Sequence, residues 1–205
     1  LPPILEGRDV VGRAKTGSGK TAAFALGALN ALDTSVLETK TLVLCPTREL
    51  ADQVTDEIRR LAKRIANVRV LALCGGMPNR PQVKSLERGV HIVVGTPGRV
   101  LKHLLTEALD LRALEMLVLD EADRMMDMGF SDEIDAILDH LPQQRQTLLF
   151  SATYPSGIAD ISEQVQDNPV HIDVTEEDTS PEIEEYWSSV YHDERLDCLL
   201  DAMED

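Results

Sequence analysis

Aromatic residues are scarce in this chain of 205 residues: three Phe, three Tyr and one Trp make up 3% of it. A base-stacking surface needs aromatic rings in number, so any contact with nucleic acid must run through phosphates and sugars. Cysteine is equally sparse. Cys45, Cys74 and Cys198 are odd in number, with no C-x-x-C spacing and no paired histidines nearby, which argues against a disulfide framework and a zinc site. Reduced, mostly buried thiols in a reducing cytosol are the expectation. No apolar run approaches the roughly 18 residues of a membrane helix, and L-P-P-I-L-E-G-R-D lacks the basic start and apolar centre of a signal peptide. A cytoplasmic protein with no membrane partner is therefore expected. Leu1 is not an initiator methionine, so the expectation is an excerpt or a processed product.

Basic residues are scarce in one half. Residues 1–102 hold 16 Lys and Arg against 9 Asp and Glu, whereas residues 103–205 hold 4 against 27, for a net charge of −16. An acidic total argues against a protein that coats nucleic acid, while the basic half leaves room for a positioned phosphate-binding face. With 43% hydrophobic and 27% charged residues, the composition is that of an ordinary globular domain.

Short apolar, β-branched runs alternate with longer stretches of helical period. The runs are Asp9 to Gly12, Thr41 to Leu44, Val68 to Leu73, His91 to Val94, Met116 to Leu119, Gln146 to Phe150 and Val170 to Val174. Runs that are apolar on both faces, such as T-L-V-L, suit strands covered on both sides of a parallel sheet. Between them, Leu50, Val54, Ile58, Leu61 and Ile65 recur on one helical face. This pattern predicts a three-layer α/β domain with a mainly parallel central sheet over residues 1–174. An acidic, Pro-containing linker is expected over 175–181, and 182–205 reads as the start of a second domain.

The first run leads into A-K-T-G-S-G-K-T, residues Ala14, Lys15, Thr16, Gly17, Ser18, Gly19, Lys20 and Thr21, and then a helical stretch. Glycines let successive N–H groups turn toward one anion, and a helix N-terminus adds its positive dipole end. Lys20 would reach the β and γ phosphates of a nucleotide, and the Thr21 hydroxyl would ligate Mg²⁺. Ala14 stands where the strict phosphate-loop pattern has its first glycine. A bare turn into a helix would need neither the lysine nor the hydroxyl.

A second signal, Asp120-Glu121-Ala122-Asp123, closes the run L-V-L. A carboxylate at a strand's C-terminal end lies on the edge where open α/β sheets bind ligands. Asp120 would hold Mg²⁺ with Thr21, and Glu121 would orient and deprotonate the attacking water. Alone, such an acidic cluster is usually a solvated helix start; beside a phosphate loop it reads as an active site.

With these two motifs, P-T-R-E-L at 46–50, Gly75-Gly76, T-P-G-R at 96–99 and Ser151-Ala152-Thr153 stand in the order found in the DEAD-box RNA helicases, which the chain resembles from Leu1 to about Val174. The resemblance implies a RecA-like first domain of an ATP-dependent RNA helicase core, a P-loop NTPase using ATP and Mg²⁺ and acting as a monomer. It implies that Pro46, Thr47, Arg48, Gly75, Gly76, Thr96, Pro97, Gly98 and Arg99 belong to segments that grip RNA's sugar-phosphate backbone without reading sequence. It also implies that Ser151 and Thr153 bond to the D-E-A-D segment, especially Asp123, and couple nucleotide state to strand separation. Taken singly, P-T-R-E-L also works as a helix start and T-P-G-R as a loop into the next helix. The resemblance also implies a glutamine motif that reads adenine upstream of Leu1 and a second RecA-like domain with arginine fingers, of which only the start is expected within these residues. On its own this stretch is therefore expected to be a weak ATPase or inactive.

Within the family, C-P-T-R-E-L-A-D-Q-V, M-G-F-S-D-E-I-D-A-I and R-Q-T-L-L-F-S-A-T-Y-P look most like the bacterial DbpA type, associated with ribosome assembly, which implies ribosomal RNA as the partner. A nucleotide-switched RNA clamp without unwinding, or a DNA translocase, would carry the same motifs.

Overall fold

In the computed structural model, residues 1–174 are described except Thr16, Tyr154 and Pro155. The expected linker at 175–181, the second-domain start at 182–205, Cys198 and Thr16 of the phosphate loop lie outside the described residues. In chain order the elements are α1 (Pro2–Leu5), β1 (Val10–Arg13), α2 (Lys20–Ala31), β2 (Thr41–Leu44), α3 (Arg48–Leu61), a 3-10 turn (Ala62–Arg64), β3 (Val70–Leu73), α4 (Asn79–Glu87), β4 (Ile92–Gly95), α5 (Pro97–Leu105), β5 (Met116–Leu119), α6 (Ala122–Asp127), α7 (Ser131–Leu138), β6 (Gln146–Ser151), α8 (Ser156–Val165) and β7 (Val170–Asp173). The strands form one seven-stranded sheet in the order β3-β4-β2-β5-β6-β1-β7. Every neighbouring pair is parallel, so the sheet is wholly rather than mainly parallel.

The apolar runs form strands because both faces of the sheet are covered. Along β2, Leu42 and Leu44 face one core and Val43 the other, with Cys45 following Val43. The first core takes Val100 and Leu104 of α5, Met125 of α6, Ile134 and Ile137 of α7 and Ile158 of α8. The second takes Ile4 of α1, Phe24, Ala25 and Ala28 of α2, and Ala51, Val54 and Ile58 of α3. Each fully buried Leu or Ile contributes roughly 1.5–3 kcal/mol relative to exposure. Strand β7, at one edge, alternates half-buried Val170 and Ile172 with exposed His171 and Asp173, as a strand covered on one side should.

Helix α3 shows how local sequence sets the boundaries. The Thr47 hydroxyl accepts the Leu50 N–H at 3.3 Å as N-cap, Glu49 lies in the first turn, and Arg59 and Arg60 lie in the last. The predicted apolar face ends early: the α-helix stops at Leu61, the chain tightens into the 3-10 turn, and Ile65 is exposed. Four-residue spacing could not reveal that change of pitch.

Asp9, read as the first residue of a strand, is instead a buried carboxylate that accepts the N–H groups of Thr147 (2.6 Å) and Asp167 (2.7 Å). It ties the start of β1 to β6 and to the end of α8.

At the C-terminal end of β4, Gly95 has no room for a side chain. A Cβ there would lie 2.5 Å from the Leu73 carbonyl oxygen and 2.8 Å from Val100 Cγ2. Because the nearest atom is backbone, Gly95→Ala should destabilise the domain by about 1–3 kcal/mol, read as a lowered midpoint in urea unfolding with an unchanged m-value.

Candidate active site at the strand ends

Parallel strands place all their C-terminal ends on one edge, and the loops leaving that edge carry the motifs. The loop after β1 runs from buried Ala14 through exposed Lys15, Gly17, Ser18 and Gly19 into α2. Gly17 (φ 87°) and Gly19 (φ 83°) adopt left-handed backbone, which glycine enters without the Cβ penalty. Gly19 caps α2 with no side-chain hydrogen bond, and the first turn holds no acidic residue. The first N–H groups of α2 are thus left without side-chain acceptors, at the positive end of the helix dipole. The Ser18 N–H donates at 3.4 Å to the Lys15 carbonyl, so the loop is partly folded on itself.

Lys20 and Asp120 meet across this edge, with Lys20 Nζ 3.3 Å from Asp120 Oδ1 and the two side chains 7% and 0% exposed. Burial pushes the Asp120 carboxyl up from its ordinary value, and the Lys20 ammonium pulls it back. Asp120 Oδ1 also accepts the Glu121 N–H at 3.0 Å, whereas Oδ2 is buried without a partner. Asp120 and Thr21 lie on one cavity of about 330 Å³, together with Gly17, Lys20 and Glu121. A hard carboxylate oxygen beside a hydroxyl is a donor set that fits Mg²⁺.

Glu121 is held in left-handed backbone (φ 52°, ψ 52°) although it is not glycine, a conformation that costs about 1–3 kcal/mol. Arg124 Nη1 lies 3.3 Å from its carboxylate. Burial first and the Asp120 charge second push the Cys45 thiol well up, so it stays protonated.

Asp123 faces the loop after β6. Its Oδ2 accepts both the N–H (2.9 Å) and the hydroxyl (2.8 Å) of Thr153. Burial raises its pKa, but the hydrogen bonds from Thr153 and Arg124 outweigh burial and hold it below the ordinary carboxylate range. The Ser151 hydroxyl also lies 2.5 Å from the Thr153 carbonyl, to which it donates. That bond uses the hydroxyl's one proton and shapes the turn that presents Thr153 to Asp123.

The three remaining segments cluster around the ends of β2, β3 and β4. Arg48 Nη1 lies 3.6 Å from where a Cβ on Gly76 would stand, and Arg48 Nε is 3.6 Å from Asp52. Arg99 bonds the Met77 carbonyl (3.2 Å), Asn79 Oδ1 (3.2 Å) and Gln82 Oε1 (3.1 Å). Gly75, Gly76 and Gly98 are exposed and Thr47 and Thr96 half-buried. Pro46 and Pro97 are buried and offer no surface to a ligand; Pro97, in the first turn of α5, shapes the helix start.

Sequence reasoning missed the side chain that joins these segments. Gln82, buried on α4, donates to the Cys74 carbonyl (3.3 Å), and its Oε1 accepts from Arg99 and from His103 Nε2 (2.9 Å). An amide oxygen only accepts, so His103 carries its proton on Nε2. Burial first, then the charges of Arg99 and Lys102, hold the His103 pKa below its usual value and the ring neutral. The only signal was a glutamine four residues before Leu86 on an inward helical face.

Comparison with known proteins follows the same lines. The family model described as DEAD/DEAH box helicase matches residues 1–161. An ATP-dependent RNA helicase, DbpA, of Escherichia coli (strain K12) is 56% identical over 185 residues, covering 90% of this chain and 40% of the relative. A DEAD-box ATP-dependent RNA helicase, CshA, of Bacillus cereus (strain ATCC 10987 / NRS 248) is 44% identical over 200 residues, covering 97% and 38%. The crystal structure of a DEAD box protein from the hyperthermophile Methanococcus jannaschii superposes with a TM-score of 0.81 at 35% identity, over 100% of this chain and 55% of that one. The fold is thus RecA-like, and the chain spans about two fifths of the curated relatives it matches.

The buried ion pair makes a pH-dependent prediction. Lys20→Met removes the cation that faces Asp120, so its carboxyl pKa should rise further, visible in ¹³C NMR titration. Because the folded-state pKa then lies still higher above the unfolded one, the substitution should cost about 3 kcal/mol at pH 8 and less as acid protonates Asp120.

Proposed function

Because the chain belongs to the DEAD/DEAH box helicase family, we propose that the protein carrying it is an RNA-dependent ATPase that separates short RNA duplexes. The single observation that carries this reading is the cavity shared by Lys20, Thr21, Asp120 and Glu121. It opens on the same sheet edge as the loops bearing Arg48, Gly76 and Arg99.

In this reading the exposed amides after β1 and the N-terminus of α2 receive the phosphates of ATP. Lys20 exchanges its contact with Asp120 for the β and γ phosphates, and the Ser18 N–H exchanges the Lys15 carbonyl for a phosphate oxygen. Asp120 and Thr21 would hold Mg²⁺, which would supply positive charge to the phosphate oxygens. Glu121 orients a water in line with the γ phosphorus and takes one of its protons; the water oxygen bonds to phosphorus as the bond from phosphorus to the bridging oxygen breaks, and ADP and inorganic phosphate depart. An apolar cleft of about 180 Å³ on the other flank of the loop, lined by Ile4, Gly12, Ala14 and Phe150, suits the flat face of a base.

Arg48, Arg99 and the glycine turns hold RNA by its backbone, the mode that scarce aromatics leave open. Arg99 is presented by Gln82 rather than free, which lowers the ordering cost of gripping a phosphate. The Asp123 to Thr153 bonds join the loop after β5 to the loop after β6, so a shift at one loop reaches the other. A second RecA-like unit would close over the RNA, and the monomeric protein would act in the cytoplasm on ribosomal RNA.

The test is phosphate release by the full-length protein with Mg²⁺ and ATP, comparing no nucleic acid, single-stranded RNA and single-stranded DNA. Stimulation by RNA alone is expected. Glu121→Gln should keep ATP binding while losing about 10²–10⁴-fold in the stimulated rate; stimulation by DNA as strong as by RNA, or an unaffected Glu121→Gln rate, would overturn the reading.

A further inference from the structure

Between residues 59 and 88 the chain carries eight Lys or Arg and a single acid, Glu87, in a protein of net charge −16. Three of the eight, Arg80, Lys84 and Arg88, recur every fourth residue along α4 and its C-cap. Such spacing puts them on one face of the helix, in a stripe about 12 Å long. The opposite face holds buried Gln82 and half-buried Leu86, so the stripe points to solvent.

These charges are not neutralised. Most other exposed arginines sit against a carboxylate: Arg13 with Asp173, Arg48 with Asp52, Arg60 with Glu57, Arg112 with Asp110 and Arg124 with Glu121. Among the described residues Arg80, Lys84, Arg88 and Arg69 have no carboxylate partner; Arg69 bonds the carbonyls of Arg88 and Gly89. At the foot of the stripe, Arg59, Arg69, Ser85 and Arg88 line a hollow of about 740 Å³ beside edge strand β3. Arg59 bonds the Val70 carbonyl there and shares its charge with Asp56.

The stripe's upper end adjoins the Gly75-Gly76 turn, where Arg99 reaches Asn79 at the first turn of α4. We propose that the exposed face of α4, with Arg69 and Arg59 at its foot, is a second RNA-backbone surface, which takes the RNA continuing past the segment held at Gly76 and Arg99. This rests on the RNA reading above. Continuity with that grip favours RNA over an acidic protein. In sequence the chain's own acidic stretch begins after β7, the edge strand six strand spacings of about 4.8 Å from β3.

The test uses the full-length protein with Arg80→Gln, Lys84→Gln and Arg88→Gln combined, and two labelled RNAs: a short single strand, and the same strand flanked by duplex arms. For the flanked RNA, binding at low salt should weaken at least tenfold, and the slope of log K against log salt should fall by between two and three, about 0.9 for each phosphate that is no longer neutralised. The short strand should bind and stimulate ATP hydrolysis as before, and charge-preserving exchanges (Arg80→Lys, Lys84→Arg, Arg88→Lys) should keep the original slope. Equal circular dichroism and melting of both variants keep folding out of the comparison. An unchanged slope, or equal weakening on both RNAs, overturns the proposal and leaves the stripe to guard the β3 edge or to meet an acidic protein. Failure of the unsubstituted protein to bind either RNA overturns the underlying reading instead.

Discussion

Parallelism of the sheet is the constraint on which everything else here depends. Seven strands running the same way deliver all their C-terminal ends to one edge, so the loops after β1, β2, β3, β4, β5 and β6 become neighbours although they lie far apart in the chain. The cost of that arrangement is that every strand pair needs a crossover, and both faces must be covered by helices. Two apolar cores meet that demand. They also bury part of that edge: Lys20 and Asp120 face each other at 3.3 Å with almost no exposure to solvent.

At the edge, stability and chemistry pull in opposite directions. Asp120 keeps one oxygen unbonded, Glu121 sits in left-handed backbone, and α2 begins without a side-chain cap. Each of these lowers stability, and each leaves a group able to act on a ligand. By contrast, Asp9 at the other end of the sheet has both oxygens bonded to N–H groups and serves only to hold strands together.

Much of this was legible in the sequence, for physical reasons that differ by element. The strands could be read because burial on both faces demands unbroken apolar runs such as T-L-V-L and M-L-V-L. The turn after β1 could be read because Gly17 and Gly19 stand at left-handed positions that other residues enter only at a cost. Sheet order could not, since nothing in a parallel strand's composition names its neighbour. Nor could the knot of Gln82, Arg99 and His103, which joins residues 17 and 21 positions apart through one buried amide. The prolines misled in a different way: Pro46 and Pro97 belong to motifs whose backbone matters while their own side chains are buried.

The strand order also carries a consequence in time. β1 is made first, yet its partners in the sheet are β6 and β7, the last two of the seven strands to be made. Strands β2, β3, β4 and β5 can pair with one another as they emerge from the ribosome, but the segment bearing the phosphate loop has nothing to pair with until β6, which begins at Gln146, has been synthesised. The domain therefore assembles the cavity of Lys20, Thr21 and Asp120 last. A chain interrupted before β6 leaves the loop after β1 without its strand partner, so any ligand of that loop would stabilise only finished copies and could not rescue unfinished ones.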